Sequence, residues 1–421
     1  MIVTLPRRDG IDIAVPAPPS KSYTHRAFLA AALAKGKSTI VHPLVSDDTE
    51  LTKNALSLLG TSVITEEKKV TIEGCNGAFP CPPGAVLDLD NSGTSLRLLA
   101  SSVLLAGTPV TLTGSARMQE RPLGPLADTL ASLGAKVTFG KKNGFPPVTI
   151  GGSLTGGSVT VDGSVSSQFA SSVLMAAPYA KNPVSLAITG TLASGSYLDI
   201  TTRVMADFGA VVQRKGERRF EISNSERYTG RTYTVEGDYS SASYFFALAA
   251  ICGGRATVTG LNPESVQGDR MFLMALEKMG CRVTRSPNSV SVEHEGTLSG
   301  ITIDMSAAPD TVQTLCMVAA MAKTLTRITG IAHLKHKESD RITGTAERLR
   351  QLGALVDTEE DQITIRPGHL HGGTIDPEND HRTAMSFAVL GMGIGDVTIT
   401  NAECVTKSYP GFWDTLAPVM E

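Results

Sequence analysis

Lysine, arginine and hydroxyl side chains are concentrated at a point where the chain is expected to enter a long apolar helix. The stretch from Pro19 to Arg26 carries Lys21, Ser22 and Arg26 at this helix start. Free N–H groups and the positive end of the helix dipole favour anions there, and both cations suit phosphate or carboxylate. A solvated helix cap has the same composition, so this stretch by itself indicates no more than a candidate anion site.

Similar polar turns precede five more apolar helices, and their chemistry differs from one turn to the next. The residues at these turns are Asn91, Ser92, Gly93, Thr94 and Arg97; Ser166, Ser167 and Gln168; Asp238, Ser240 and Ser241; Asp310; and Asp380, His381 and Arg382. If these turns only capped helices, we would expect them to converge on Ser or Asp. Their divergence favours a functional role.

A second set of polar residues follows the strands that close these segments. It comprises Arg121, Ser194, Tyr197, Lys337, Glu338, Arg341 and Lys407. The run from Lys337 to Arg341 could also be a solvated helix end, although its charged residues lie three and four positions apart and share a face. Together the candidates provide seven cations against the two carboxylates of Asp310 and Glu338. This excess of positive charge suits the binding of two polyanionic ligands. The two carboxylates are then available for proton transfer.

The elements that position these residues repeat along the chain. A helix that ends on a glycine and leads into a strand recurs about every 73 residues. The glycines are Gly60, Gly134, Gly209, Gly280 and Gly353, and each fits the left-handed position that ends a helix. Each repeat also contains a strand, a polar turn and an apolar helix. These segments are Ile11–Gly36, Val86–Gly107, Ser158–Pro178, Thr232–Gly253, Ile301–Ala322 and Thr374–Gly393.

Six repeats exceed what one hydrophobic core usually holds, so we expect two domains of three repeats each. One domain is predicted to span residues 17–235, and the other to combine residues 1–16 with 236–421. The sixth repeat is then split between the two ends of the chain, and the chain crosses between domains twice.

Composition excludes several classes of protein. The formal net charge of −3 argues against a general nucleic-acid binder. No apolar run approaches the roughly 20 residues of a membrane span. The six cysteines form no CxxC pair and the histidines are dispersed, so we predict no metal site. Lacking a signal-peptide pattern at its start, the chain is expected to act in the cytoplasm.

Seven of these motifs, in this order, resemble those of the EPSP synthase family, which belongs to the enolpyruvyl transferases. They are Pro19–Ser22, Asn91–Arg97, Glu120–Leu123, Ser166–Gln168, Lys337–Arg341, Asn379–Arg382 and Lys407. The resemblance implies an α/β fold of two domains, each with three βαβαββ repeats around buried helices, and an active-site cleft between them. It also implies transfer of the enolpyruvyl group of phosphoenolpyruvate to the 5-hydroxyl of shikimate 3-phosphate, with no cofactor. We expect a monomer.

The resemblance further implies which residues bind each substrate. For shikimate 3-phosphate they are Lys21, Ser22, Arg26, Ser166, Ser167, Gln168, Ser194, Tyr197, Asp310 and Lys337. For phosphoenolpyruvate they are Lys21, Asn91, Gly93, Arg121, Gln168, Arg341, Arg382 and Lys407. Asp310 would accept the hydroxyl proton, and Glu338, with help from a lysine such as Lys21, would protonate the methylene carbon.

Four residues depart from the common family pattern, and two alternative functions stay open. His333 stands where the family commonly has Asn, Gly195-Ser196 stands where it often has Lys-Pro, and Ser92 stands where it often has Ala. One alternative is the sister enzyme that acts on UDP-N-acetylglucosamine, but its reactive cysteine would be expected within 115–121, where this chain has none. The other is a non-catalytic phosphometabolite-binding protein, which would gain nothing from Asp310 and Glu338.

Overall fold

The computed structural model describes all residues from 1 to 421 and divides the chain into two compact units. One unit contains Met1–Pro18 and Glu236–Glu421, and the other contains Pro19–Val235. The first boundary therefore follows Pro18, slightly later than the sequence-based boundary at residue 16. We refer to them below as the terminal unit and the central unit.

The first two strands belong to the terminal unit, and the elements from α1 to β14 form the central unit. The strands are β1 Val3–Leu5, β2 Ile11–Pro16, β3 Lys35–Val41, β4 Ser62–Glu66, β5 Lys69–Cys75, β6 Val86–Asp88, β7 Val110–Thr113, β8 Ala135–Phe139, β9 Val148–Gly152, β10 Gly157–Asp162, β11 Val184–Thr189, β12 Val212–Arg214, β13 Arg219–Ile222 and β14 Thr232–Thr234. The helices are α1 Lys21–Leu33, α2 Asp47–Leu58, α3 Gly93–Ser102, α4 Gly124–Ser132, α5 Ser167–Ala176 and α6 Ser196–Asp207.

Three four-stranded sheets of one design form the central unit. Their strand orders are β14-β3-β5-β4, β6-β7-β9-β8 and β10-β11-β13-β12. In each sheet the first pair is parallel, and the other two pairs are antiparallel. A parallel pair needs a crossover connection. Helices α3 and α5 provide it in the second and third sheets, and their starts carry the predicted polar turns.

The remaining elements complete the terminal unit. The strands are β15 Gly254–Thr259, β16 Arg282–Ser286, β17 Ser289–His294, β18 Thr302–Asp304, β19 Thr326–Thr329, β20 Leu355–Thr358, β21 Gln362–Arg366, β22 Gly373–Ile375 and β23 Val397–Ile399. The helices are α7 Tyr239–Cys252, α8 Met271–Met279, α9 Val312–Met321, α10 Arg341–Gln351, α11 His381–Ile394 and α12 Phe412–Met420.

Three more sheets form the terminal unit. Two have four strands, in the orders β16-β17-β15-β2 and β18-β19-β21-β20. The third has three strands, in the order β1-β23-β22, and joins the two ends of the chain as the split repeat predicted. Short 3-10 helices, including Gly268–Arg270, Pro309–Thr311, Ala332–His336 and Ala402–Lys407, connect the main elements.

Buried helices occupy the interior of each unit. Every residue of α7 is buried, and in α11 only the last residue, Ile394, is not. Helix α3 packs on α5, and α7 packs on α9 and α11. An all-round apolar helix must be covered on every side, which explains why sheets surround it. None of the twelve α-helices is both long and apolar enough to cross a membrane.

The strands at the two crossings pair differently from the sequence-based assignment. That assignment placed β2 in one repeat with the helix that follows it, and β14 in one repeat with α7. Instead, β2 pairs in parallel with β15 in the terminal unit, and β14 pairs in parallel with β3 in the central unit. Each strand remains in the unit that the chain is leaving, and the next helix belongs to the other unit.

Glycines end the helices of the repeats, as predicted. All five have positive φ, including +91° at both Gly60 and Gly353. A Cβ at Gly60 would lie 2.6 Å from the carbonyl oxygen of Pro80, and one at Gly353 would lie 2.1 Å from that of His369. The backbone conformation and the close approach of another chain segment therefore both require glycine there.

Candidate active site

Lys21 is the first residue of α1, and its charge has a buried partner. Its Nζ lies 2.9 Å from Oδ2 of Asp48, in the first turn of α2. The Lys21 side chain is 14% exposed and that of Asp48 2% exposed. The ion pair fixes the ammonium group at the helix start while leaving part of it accessible. Asp48 was not predicted, because in the sequence it reads as an ordinary acidic residue after the Ser46 helix cap.

Arg26 is buried beneath the same helix start. Its Nε donates to Thr201 Oγ1 at 2.8 Å, and its Nη1 donates to the Ser22 carbonyl at 3.0 Å. Its Nη2 also contacts the Tyr197 carbonyl at 3.4 Å. Burial lowers the pKa of Arg26 to about 10, so the guanidinium remains charged at neutral pH. Arg26 thus brings Ser22 and Tyr197, two predicted substrate contacts, to one place.

The starts of α3 and α5 are joined through Gln168. Its amide nitrogen donates to Thr94 Oγ1 at 2.9 Å, and its amide oxygen accepts from Arg97 Nη1 at 3.0 Å. Ser166 caps α5 by accepting from the backbone N–H of Gln168 at 3.2 Å. Ser166 and Ser167 are buried. Two of the predicted polar turns therefore form one hydrogen-bonded group.

Arg121 lies against the start of α3. Its Nη1 donates to the carbonyl oxygen of Asn91 at 3.3 Å and to the side-chain oxygen at 3.4 Å. A Cβ added at Gly93 would lie 2.5 Å from Arg121 Nη2, so only glycine allows the guanidinium to approach this closely. The structure thus brings Arg121 to Asn91 and Gly93, although Asn91 lies 30 residues earlier in the sequence.

Ser194 precedes α6 in an unusual backbone conformation. Its φ is +60°, and its carbonyl accepts a hydrogen bond from the Tyr197 N–H at 3.2 Å. A serine with positive φ is uncommon, and such residues occur preferentially at functional sites. Tyr197 also lies 5.9 Å, measured to its ring centroid, from the Arg26 guanidinium carbon. Ser194 is thereby connected to the group around Arg26.

In the terminal unit, Arg341 binds three carboxylates. Its Nε donates to Asp380 Oδ2 and its Nη2 to Glu338 Oε2, both at 2.8 Å. Its Nη1 lies 3.4 Å from Asp310 Oδ1. Burial lowers the pKa of Arg341, but Asp380, Glu338 and Asp310 raise it more, and the net result is above the ordinary value. Both predicted catalytic carboxylates therefore contact one permanent cation.

Arg382, the second residue of α11, contacts Asp310 from another direction. Its Nη2 donates to Asp310 Oδ2 at 2.8 Å, and its Nη1 donates to the Asp310 carbonyl at 3.1 Å. Its Nη1 also donates to Ser240 Oγ at 2.5 Å, at the start of α7. Burial raises the pKa of neighbouring Tyr244 to about 12, so this phenol stays protonated at neutral pH.

Lys337 and Lys407 lie at the ends of two 3-10 helices of the same unit. Lys337 follows Ala332–His336, Lys407 ends Ala402–Lys407, and both are half-buried. Close to Lys337 is His333, whose pKa is lowered to about 3 by burial and, next, by the Lys337 charge. The His333 imidazole is therefore neutral, and it lies next to both a cation and the Asp310 carboxylate.

The predicted residues thus form two polar groups, one in each unit. The central group contains Lys21, Ser22, Arg26, Asn91, Gly93, Arg121, Ser166, Ser167, Gln168, Ser194 and Tyr197, and the terminal group contains Asp310, Lys337, Glu338, Arg341 and Arg382; Lys407 belongs to the same unit as the terminal group. Sequence reasoning missed two buried carboxyl groups, Asp48 and Asp269, because the residues around both come from other parts of the chain.

Comparison with known proteins identifies the family. The model of the family described as EPSP synthase (3-phosphoshikimate 1-carboxyvinyltransferase) matches residues 8–416. The chain belongs to the EPSP synthase family. The sequence-based recognition is confirmed, since the match covers nearly the whole chain.

Relatives of the EPSP synthase family match this chain along its whole length. A 3-phosphoshikimate 1-carboxyvinyltransferase of Methanoregula boonei is 69% identical over 421 residues, which is 100% of both chains. One of Cronobacter sakazakii is 41% identical over 413 residues, 97% of this chain and 96% of the other. The solved EPSP synthase of Acinetobacter baumannii superposes with a TM-score of 0.83 at 28% identity, covering 99% and 97% of the two chains. The predicted two-domain α/β fold is confirmed.

Proposed function

We propose that this protein transfers the enolpyruvyl group of phosphoenolpyruvate to the 5-hydroxyl of shikimate 3-phosphate. The products are 5-enolpyruvylshikimate 3-phosphate and phosphate, as the shikimate pathway of aromatic amino acid biosynthesis requires. The observation that carries the proposal is the group around Asp310. Its carboxylate contacts both Arg341 and Arg382, and Glu338 contacts the same Arg341 guanidinium. Two carboxylates for proton transfer thus lie among cations that can stabilise developing negative charge.

Binding of phosphoenolpyruvate is assigned to cations and amides from both groups. They are Lys21, Asn91, Gly93, Arg121, Gln168, Arg341, Arg382 and Lys407. Guanidinium groups bind carboxylate and phosphate through paired N–H bonds, which suits the two anionic ends of this substrate. Arg121 is buried, and its Nη1 donates to the carbonyl and side-chain oxygens of Asn91, so the direction of the guanidinium is fixed before the ligand arrives.

Binding of shikimate 3-phosphate is assigned to Lys21, Ser22, Arg26, Ser166, Ser167, Gln168, Ser194, Tyr197, Asp310 and Lys337. Serine hydroxyls and the N–H groups at the start of α5 suit its phosphate. Arg26 contributes its positive charge from a buried position, because its guanidinium donors already bind Thr201, the Ser22 carbonyl and the Tyr197 carbonyl. The proposal requires residues of both units to act on one pair of substrates.

The first half of the reaction is an addition. Asp310 accepts the proton of the 5-hydroxyl while that oxygen bonds to C2 of phosphoenolpyruvate. The C2=C3 electron pair takes a proton from Glu338, assisted by Lys21, and C3 becomes a methyl group. Both carboxylates are half-buried, and their ion pairs with Arg341 keep them in place for these transfers.

Elimination completes the transfer. The methyl group loses a proton to a carboxylate, the C2=C3 double bond re-forms, and the bond from C2 to the phosphate oxygen breaks. The departing phosphate is stabilised by the cations. Because the scheme consists of proton transfers and charge stabilisation, we predict that it requires no metal ion, nucleotide or other cofactor.

The experiment is product analysis by proton NMR with phosphoenolpyruvate and either of two acceptors. We expect vinyl signals of a new enolpyruvyl ether with shikimate 3-phosphate and none with UDP-N-acetylglucosamine. The opposite pattern would assign the chain to the sister reaction. Binding of both substrates without turnover would favour a phosphometabolite-binding protein.

A cytoplasmic location and a monomeric state also stay predictions. Sedimentation equilibrium of the purified enzyme at micromolar concentration would test the monomer. A mass twice that of one chain would contradict it.

A further inference from the structure

Asp269 is a buried carboxyl of the terminal unit to which the proposed reaction gives no role. It lies in the short 3-10 helix Gly268–Arg270, between β15 and α8. The side chain is 6% exposed, and its Oδ1 is buried and has no hydrogen-bond partner. A buried carboxylate without hydrogen bonds or a contacting cation would be costly, so this oxygen needs an explanation.

The segment that carries Asp269 is firmly attached to the start of α7. Gln267 accepts a hydrogen bond from the Tyr239 N–H at 3.0 Å and donates to the Gly237 carbonyl at 2.8 Å. Arg270 donates back to the Ser265 carbonyl at 2.6 Å. The backbone position of Asp269 is therefore set by the hydrogen bonds of its neighbours.

The same short helix packs against the elements that carry the Asp310 group. It contacts α7 and also the 3-10 helix Pro309–Thr311. Arg382 bridges these two elements, because it donates to Ser240 at the start of α7 and to Asp310. Asp269 thus lies beside a carboxylate that has two arginine partners, while its own Oδ1 has none.

Burial and the charges around Asp269 shift the pKa of its carboxyl in opposite directions. Burial raises the pKa of the Asp269 carboxyl well above its usual range, and the Asp310 charge raises it further. Arg382 and Lys337 lower it, and Asp238 raises it. The Asp269 Oδ1 is buried without a hydrogen-bond partner, which favours the neutral form of that carboxyl, whereas Asp310 has two guanidinium partners, which favour the ionised form. Environments that separate two carboxyls in this way give them different roles.

We propose that Asp269 is a positioning residue that carries a proton beside the Asp310 carboxylate and so leaves Arg382 and Lys337 with charge to bind anionic substrates. Were Asp269 ionised as well, two carboxylates would compete with the substrates for these cations. This inference deepens the proposed function and rests on it for the identity of the anions.

The charge state of Asp269 can be tested through stability. The folded protein is expected to hold this proton to higher pH than the unfolded chain, whose aspartates titrate near pH 4. Above that pH the folded state binds more protons, so ionisation costs wild-type stability as pH rises. The melting temperature of Asp269→Asn minus that of wild type should therefore increase steadily from pH 5 to pH 9. A difference that is constant or falls with pH overturns the proposal.

An infrared spectrum of the wild type provides a measurement that needs no variant. At pH 8 we expect the C=O stretch of a protonated carboxylic acid, shifted by ¹³C-labelling of aspartate. Absence of any such band overturns the proposal even if Asp269→Asn does not fold.

The effect of Asp269 on anion binding is tested by measuring the affinity for inorganic phosphate in two matched variants, Asp310→Asn and Asp269→Asn. Asp310→Asn removes a charge and should tighten phosphate binding about tenfold, whereas Asp269→Asn should change it by less than about threefold. Equal tightening by both variants would mean that Asp269 is ionised, and would overturn the proposal. If wild type shows the infrared band but fails to join the two substrates, the proposed function is wrong, whereas the proposed proton on Asp269 is still supported.

Discussion

Replacing Gly93 with alanine should displace the Arg121 guanidinium. The added Cβ would lie 2.5 Å from Nη2, 2.6 Å from Cζ and 2.7 Å from Nη1 of Arg121. Ordinary contacts begin near 3.4 Å, so the guanidinium must move by about 1 Å, a displacement large enough to disturb ligand positioning. The bonds from Nη1 to Asn91, at 3.3 and 3.4 Å, are already long and cannot follow such a shift.

The magnitude follows from the bonds at stake. A hydrogen bond to a charged group contributes about 1.5–3 kcal/mol, so misplacing one between Arg121 and phosphoenolpyruvate weakens binding by about 10- to 150-fold. Steady-state kinetics with phosphoenolpyruvate varied and shikimate 3-phosphate saturating should show KM raised within this range for Gly93→Ala. The KM for shikimate 3-phosphate should change by less than about threefold, because the displaced group contacts the other substrate.

Gly124→Ala is the matched control. Gly124 also begins a helix, α4, and a Cβ there would meet the Cα of Gly144 at an ordinary 3.5 Å. Its kinetics should equal those of wild type. An unchanged KM for phosphoenolpyruvate in Gly93→Ala would refute the reasoning, as would equal effects of the two alanines.

Three other substitutions test separate contacts. Arg382→Ala removes donors to Asp310 and should raise KM for phosphoenolpyruvate at least about tenfold, whereas an unchanged KM would remove this residue from the site. Asp48→Ala leaves Lys21 half-buried without its carboxylate partner, so the free energy of unfolding in urea should fall by roughly 1–3 kcal/mol. An unchanged free energy of unfolding would mean that this ion pair does not stabilise the fold. His333, with a pKa of about 3, stays neutral while the unfolded chain takes up a proton near pH 6.5. Between pH 7 and pH 5 the free energy of unfolding should therefore fall by about 2 kcal/mol more in wild type than in His333→Gln. Parallel pH profiles of the two proteins would contradict this.

The repeats could be predicted from the sequence because they depend on local signals. A glycine that must adopt positive φ after an apolar helix is recognisable wherever it occurs, and Gly60 and Gly353 show the required conformation. Helices that are apolar on every face, such as α7, can only be buried. Both signals are independent of the rest of the chain.

Strand pairing at the crossings could not be predicted in the same way. In the sequence, β2 precedes α1 with the same spacing pattern as an ordinary repeat, and nothing local indicates that it pairs with β15. The partner lies more than two hundred residues away, and pairing is decided by which sheet has an open edge. Sequence adjacency therefore gave the wrong repeat for β2 and β14.

The site was predictable to the extent that its residues recur at helix starts. Lys21 and Arg382 were found because their positions in the repeats are equivalent. Asp48 and Asp269 were missed, since their importance depends on burial beside Lys21 and Asp310 that only the folded chain produces. An acidic residue early in a helix is usually explained by the helix dipole alone.

Phosphate release tests the central claim most directly. Purified protein is mixed with shikimate 3-phosphate and phosphoenolpyruvate in the presence of a chelator, and inorganic phosphate is measured over time. We predict release that requires both substrates, falls at least about a hundredfold in Asp310→Asn, and is retained in Asp304→Asn, a change at an exposed aspartate of the same unit. No release from wild type with this pair, or equal release from wild type and Asp310→Asn, would contradict the account.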